Sequence, residues 1–249
     1  MRAILTYHSI DSSGSPISVS AAAFARHVAW LASGRVRVTS VGELLTLPDT
    51  ADAVAITFDD AFRNFGDVAA PLLQAHGLPA TVFMVADHAG GTNAWGRSPD
   101  RGIPELPLLD WEALARLPEH GVTIGAHSRS HRPLAMLRGL ELEEEIVGGV
   151  RVIAERIGRA PIGFAYPYGS TSDAAAALVR ANYAWGCTTE LRRLGSDDER
   201  ALLPRLDMYY FREPGRIERW GTPRFTYYLH LRSGARLLRQ RWASRHRAP

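Results

Sequence analysis

The chain has 249 residues, 46% of them hydrophobic, 22% charged and 9% aromatic, long enough to bury a sizeable core. This composition excludes a disordered chain. The single cysteine, Cys187, excludes an internal disulfide framework, and no apolar run nears the roughly 20 residues that cross a bilayer. All 29 Lys/Arg positions are Arg; residues 1–218 hold 21 of them against 26 acidic groups, residues 219–249 hold 8 and no acidic group, so the basic balance belongs to a tail and no nucleic-acid partner is expected.

In chain order, short apolar runs alternate with helical patterns. Ala3–Tyr7 predicts a first strand. Residues 20–32 predict a helix capped by Ser20, with Phe24, Val28 and Leu31 on one face. Ala53–Phe58 is a second strand, residues 66–76 a helix that stops at His76-Gly77-Leu78-Pro79, and Ala80–Val85 a third strand. Gly90–Pro107 reads as a long loop over one end of the fold. Asp110 caps a helix over Trp111–Leu117, and Val122–Ala126 is a strand. Residues 141–157 form an amphipathic helix whose early Glu and late Arg residues suit its dipole. Gly163–Tyr166, an Ala-rich helix over 173–182 and Trp185–Thr188 complete the alternation. Repeated strand–helix units predict an α/β fold, with parallel strands and helices outside. The apolar run at the N-terminus is too short for a signal-peptide core, so the expected location is cytoplasmic.

The carboxyl ends of these strands carry chemically active residues. His8 ends the first, Asp59-Asp60 the second, His127 the Val122 strand with His131 four residues on, and Tyr166-Pro167-Tyr168-Gly169 the Gly163 strand. Carboxyl ends of parallel strands share one face, and that face carries the site. Two adjacent carboxylates beside a buried strand repel and are costly to bury unpaired; a cation relieves both problems. Two His and one carboxylate leave coordination positions open, which suits a catalytic zinc or another divalent transition metal (cobalt, nickel, iron or manganese) and frees the second carboxylate to act as base.

These segments together resemble the polysaccharide deacetylase family, carbohydrate esterase family 4. The resemblance rests on Thr57-Phe58-Asp59-Asp60, on His127-Ser128 with His131 and Leu134, and on Phe164 with Pro167-Tyr168-Gly169, and covers roughly residues 1–210. The opening Tyr7-His8-Ser9-Ile10 is similar to the subgroup of poly-N-acetylglucosamine deacetylases, which carry their catalytic His at the start of the chain. The resemblance implies a distorted (β/α)7 barrel. It implies that Asp60, His127 and His131 bind the metal, that Asp59 is the general base, that His8 is the general acid, and that the Tyr168 backbone N–H helps hold the oxyanion. The Arg that pairs with the base in many relatives is replaced by Ala165, and Arg205, from a later strand, is expected to reach Asp59 instead.

The expected activity is removal of N-acetyl groups from an N-acetylhexosamine-containing glycan or lipid-linked precursor. The rivals are another acyl group, an O-acetyl ester or a formamide, and a non-catalytic carbohydrate-binding protein on the same fold. Trp95, Tyr166 and Tyr168 are candidate sugar contacts. Trp111 and Cys187 read as packing residues, and His230 as an ordinary tail residue. The chain divides into a catalytic domain over 1–218 and an Arg-rich tail over 219–249, expected to be partly helical. The tail either packs on the barrel or rests on the anionic inner face of a membrane.

Overall fold

The computed structural model describes residues 1–95 and 102–246, with side chains through residue 238. The strands of the described residues are β1 (Arg2–Tyr7), β2 (Ser9–Ile10), β3 (Ser18–Val19), β4 (Arg37–Thr39), β5 (Ala53–Phe58), β6 (Ala80–Met84), β7 (Val122–Ala126), β8 (Gly163–Ala165), β9 (Trp185–Cys187) and β10 (Leu206–Asp207). The main sheet is parallel throughout and runs β10-β1-β5-β6-β7-β8-β9. β4 pairs with the first half of β5 and β6 with the second half, while β2 and β3 form a small separate pair.

Helices fill the connections: α1 (Ala21–Leu31), α2 (Val41–Leu44), α3 (Ala70–Ala75) after a wide turn over Phe65–Ala69, α4 (Trp111–Arg116), α5 (Gly139–Glu143) and α6 (Gly149–Ile157) joined through a wide turn at Glu144–Gly148, α7 (Asp173–Asn182) and α8 (Pro223–His246). Ser20, Asp110 and Ser172 cap their helices by accepting from a backbone N–H three residues on. The result is a distorted (β/α)7 barrel, in agreement with the alternation of strand and helix patterns along the chain.

The sheet curls and closes through one stretch of chain. Leu203 bridges Cys187 of β9, and three residues further on Leu206 pairs with Leu5 of β1. Arg205 therefore sits at the seam of the barrel.

Side-chain parity divides the core into two layers. Leu5, Tyr7, Val54, Ile56, Phe58, Val82 and Phe164 face the helices. Ile4, Ala53, Ala55, Phe83, Ala165, Trp185 and Cys187 face the barrel interior. The interior is tight. A Cβ on Gly163 would sit 2.1 Å from the Trp185 ring, and one on Gly125 would sit 2.4 Å from the Phe83 ring, so glycine at both positions lets two large rings fill the barrel floor. Phe83 and Trp185 meet edge to face, 5.7 Å between centroids.

Of the expected loop over Gly90–Pro107, residues 96–101 lie outside the described residues; its flanks are joined by a bridge between Thr92 and Pro107. The tail forms a single long helix whose first turns bury Phe225 and Leu229 in the same core as the barrel helices. Trp111 packs against that core beside Arg156, and His230 is exposed on α8.

Candidate active site

The same parity builds the site. The inward row of β1 runs Ile4, Thr6, His8; that of β5 runs Ala53, Ala55, Thr57, Asp59; that of β7 ends in Gly125, His127. In β1 and β5 the polar ends of these rows stand above apolar Ile4, Ala53 and Ala55, and His8, Asp59 and His127 converge on the mouth. Thr6 and Thr57 form the polar layer beneath, their hydroxyls 3.1 Å apart.

Arg205 enters this layer from the seam. It is fully buried, and its two terminal nitrogens donate to both Asp59 oxygens at 2.6 and 2.7 Å, while Nε donates to the Thr188 carbonyl at 2.8 Å. Burial alone would raise the Asp59 pKa; the Arg205 guanidinium, helped by His127 and His8, overrides it and holds the carboxyl well below the usual carboxylate range. His8 Nε2 lies 3.7 Å from the same carboxylate and keeps 21% of its side chain exposed.

Asp60, His127 and His131 form a second cluster, their potential ligand atoms all within 4.8 Å of one another. Asp60 Oδ1 lies 3.5 Å from His127 Nε2 and 3.3 Å from His131 Nε2, yet this buried oxygen forms no hydrogen bond among the described residues. For His127 the reason is the tautomer. Its Nδ1–H donates to the Ala165 carbonyl at 2.7 Å, which leaves the Nε2 lone pair aimed at the carboxylate. Burial holds His127 down to about 4, against the pull of Asp59 and Asp60, so the ring is neutral near pH 7. A lone-pair donor facing a buried carboxylate repels it until a cation lies between them. The residues present therefore fit a divalent metal, and nitrogen donors with one carboxylate match zinc or a first-row neighbour.

Backbone strain is concentrated here. Among the described residues, the non-glycine residues with positive φ are Asp60, Ala61, Ser128, His131 and Tyr168, all at the mouth. In a regular strand Asp60 would point outward with Phe58; its left-handed backbone instead brings the side chain to the histidines at the mouth. The loop carrying both His is braced from below: Ser128 Oγ accepts from the His131 N–H, and Glu145, buried on the wide turn between α5 and α6, accepts from the Ser130 N–H at 2.9 Å and from its hydroxyl. Arg129 is held by Asp87 and Glu144. On the other side Asn64 accepts from the Ile10 N–H and donates to Ser9, fixing the segment after His8.

These supports are not readable from the sequence. Glu144 and Glu145 suit the dipole of an amphipathic helix, and nothing in the local pattern marks them as anchors of a loop about 15 residues earlier.

Trp95 stacks obliquely on His131, 4.2 Å between centroids, and Tyr168 meets the same ring at 4.6 Å, half exposed. Tyr166 corrects the expectation. It is fully buried, its ring packs on Phe164, and its hydroxyl donates to the Ala201 carbonyl. It shares the parity of Phe164, which points to the helix layer, so Tyr166 is a core residue and not a sugar contact.

A β/α barrel with a two-histidine, one-carboxylate cradle at the carboxyl ends of its strands is the class these observations define. The family model for polysaccharide deacetylases matches residues 47–184. The chain belongs to the polysaccharide deacetylase family. It is 26% identical over 193 residues to the Bacillus subtilis putative polysaccharide deacetylase YxkH, an alignment covering 75% of this chain and 64% of that one. It is 22% identical over 204 residues to the poly-beta-1,6-N-acetyl-D-glucosamine N-deacetylase of Staphylococcus epidermidis, covering 76% and 67%. The chain thus spans about two thirds of the length of these relatives. The fold is similar to that of the Streptococcus pyogenes deacetylase PplD, with a TM-score of 0.72 over 90% of this chain and 96% of that one at 19% identity.

Proposed function

We propose that the protein is a metal-dependent hydrolase that removes N-acetyl groups from an N-acetylhexosamine-containing glycan or glycan precursor. The observation that carries this reading is the pairing of an ionised, Arg-clamped carboxylate, Asp59, with an adjacent cation cradle of Asp60, His127 and His131. The staphylococcal relative's stated activity and the family membership support the substrate class.

Asp60, His127 and His131 would hold the metal. When bound, a divalent ion supplies Lewis acidity, polarising the amide carbonyl and acidifying water. Asp59 takes the proton as water oxygen adds to the acyl carbon. Arg205 keeps Asp59 ionised and aims it, so its role is position rather than basicity. His8 gives a proton to the amide nitrogen as the C–N bond breaks, releasing acetate and a free amine. The Tyr168 backbone N–H donates to the developing oxyanion. The rings of Trp95 and Tyr168 flank the cradle and offer apolar faces to a sugar.

The test is acetate release from N-acetylglucosamine oligomers by protein of measured metal content. Asp59→Asn is expected to lose at least ~10²-fold in turnover with its metal content unchanged. Full activity in Asp59→Asn would overturn the base assignment. Mass spectrometry of the product separates loss of N-acetyl from loss of an O-acetyl or formyl group.

A further inference from the structure

Helix α8 carries two apolar faces. Phe225 and Leu229, four residues apart, are buried against the barrel, and the Tyr228 hydroxyl donates to the Tyr210 carbonyl at 2.6 Å beside them. At about 100° per residue, Tyr227, Leu231 and Leu238 align as a second stripe on the opposite side. They are 67%, 54% and 69% exposed, and Leu237 next to them is 50% exposed. Arg224 is exposed beside this stripe, whereas Arg232 turns toward the barrel side, where its Nε donates to the Tyr228 hydroxyl. The chain from residue 219 onward holds eight Arg and no acidic residue.

A solvated helix gains nothing from a second apolar stripe, and a contiguous exposed one marks a docking surface. We infer that this outward face of α8 docks flat on an anionic lipid surface. The charge decides the occupant. Apolar side chains would enter the headgroup boundary while the arginines pair with anionic headgroups. A second copy of this chain would instead bring two Arg-rich, acid-free tails together. The face lies on the membrane and does not span it: among the described residues no helix is long and apolar enough to cross.

Ser233 and Arg236, on the barrel side of α8, line a cleft with Gly169, Thr188 and Glu190 just past the carboxyl ends of β8 and β9, so the docking stripe faces away from it. The inference does not depend on the hydrolytic reading, because its test measures binding and not turnover.

The full chain is floated with vesicles of phosphatidylcholine alone and of phosphatidylcholine with phosphatidylglycerol. The wild type is expected to float with the anionic vesicles and to be released by salt. The double variant Leu231→Asp, Leu238→Asp is expected to bind at least ~10-fold more weakly, with an unchanged melting temperature because both side chains are already exposed. Arg224→Glu is expected to weaken binding by a smaller factor that added salt removes. Failure of the wild type to prefer anionic vesicles, or equal binding by the double variant, would overturn the inference. So would a wild-type dimer in light scattering that the double variant converts to monomer, which would assign the face to a second copy.

Discussion

Asp59 and Asp60 are neighbours in sequence, yet their surroundings assign them different work. Asp59 keeps strand parity and meets Arg205; Asp60 adopts a left-handed backbone and meets two imidazoles. Because Arg205 is buried, removing it strands a charged carboxylate. Arg205→Met is expected to cost about 3–5 kcal/mol in urea unfolding, and adding Asp59→Asn to restore part of that loss. A cost for Arg205→Met below about 1 kcal/mol would contradict the buried pairing.

A second buried group sets a pH dependence. The His27 Nδ1 accepts from the Tyr7 hydroxyl, Nε2–H donates to the Phe211 carbonyl, and burial holds the ring down to about 4. The unfolded chain binds the proton near pH 6.5, so it gains protons before the native state does, and stability falls as pH drops from about 6.5 to about 4. His27 should contribute about 2 kcal/mol of the loss between pH 7 and pH 5. Urea unfolding of wild type and His27→Gln at the two pH values measures it, and an equal pH dependence in the two proteins would remove this assignment.

At the scale of elements, the strands and their polar tips are legible in the sequence because short apolar runs and a polar terminus are both local signals. The expected strand over Ala53–Phe58 and the helix over 173–182 match their observed bounds. The contact of Arg205 with Asp59 is readable from a missing cation, at Ala165, and one arginine late in the chain, just before β10. Tyr166 misleads because it sits inside a motif at the mouth, while its parity on β8 points it outward. The wide turn at Glu144–Gly148 is illegible: residues 141–157 show a continuous helical stripe, and the extra residue that presents Glu145 to the histidine loop leaves no pattern. Gly149 helps bring helix and loop together, since a Cβ there would lie 3.3 Å from the Ser128 backbone. Glu145→Ala should therefore loosen the loop without unfolding the barrel. Zinc affinity by calorimetry is expected to fall about 10–100-fold with an unchanged circular dichroism spectrum. Unchanged affinity would show that the loop is held by other contacts.

On the scale of the whole molecule, closure and chemistry share one seam. The segment that joins β9 to β1 carries Arg205, so the barrel cannot close without delivering the clamp to Asp59. The mouth gathers the left-handed residues that the rest of the described chain avoids outside glycine, which is where a rigid barrel can hold strained loops. Sequence separation hides this convergence, because His8, Asp60, His127 and Arg205 meet only once the sheet curls. The proposed chemistry requires that the cradle hold an ion. The most direct test is anomalous diffraction at the zinc edge from crystals of the protein soaked with zinc. The expected result is one ion about 2.0–2.2 Å from Asp60, His127 and His131, with Asp59 bound to Arg205 and not to the ion. An ion that contacts fewer than two of those three side chains, or that draws Asp59 away from Arg205, would contradict it.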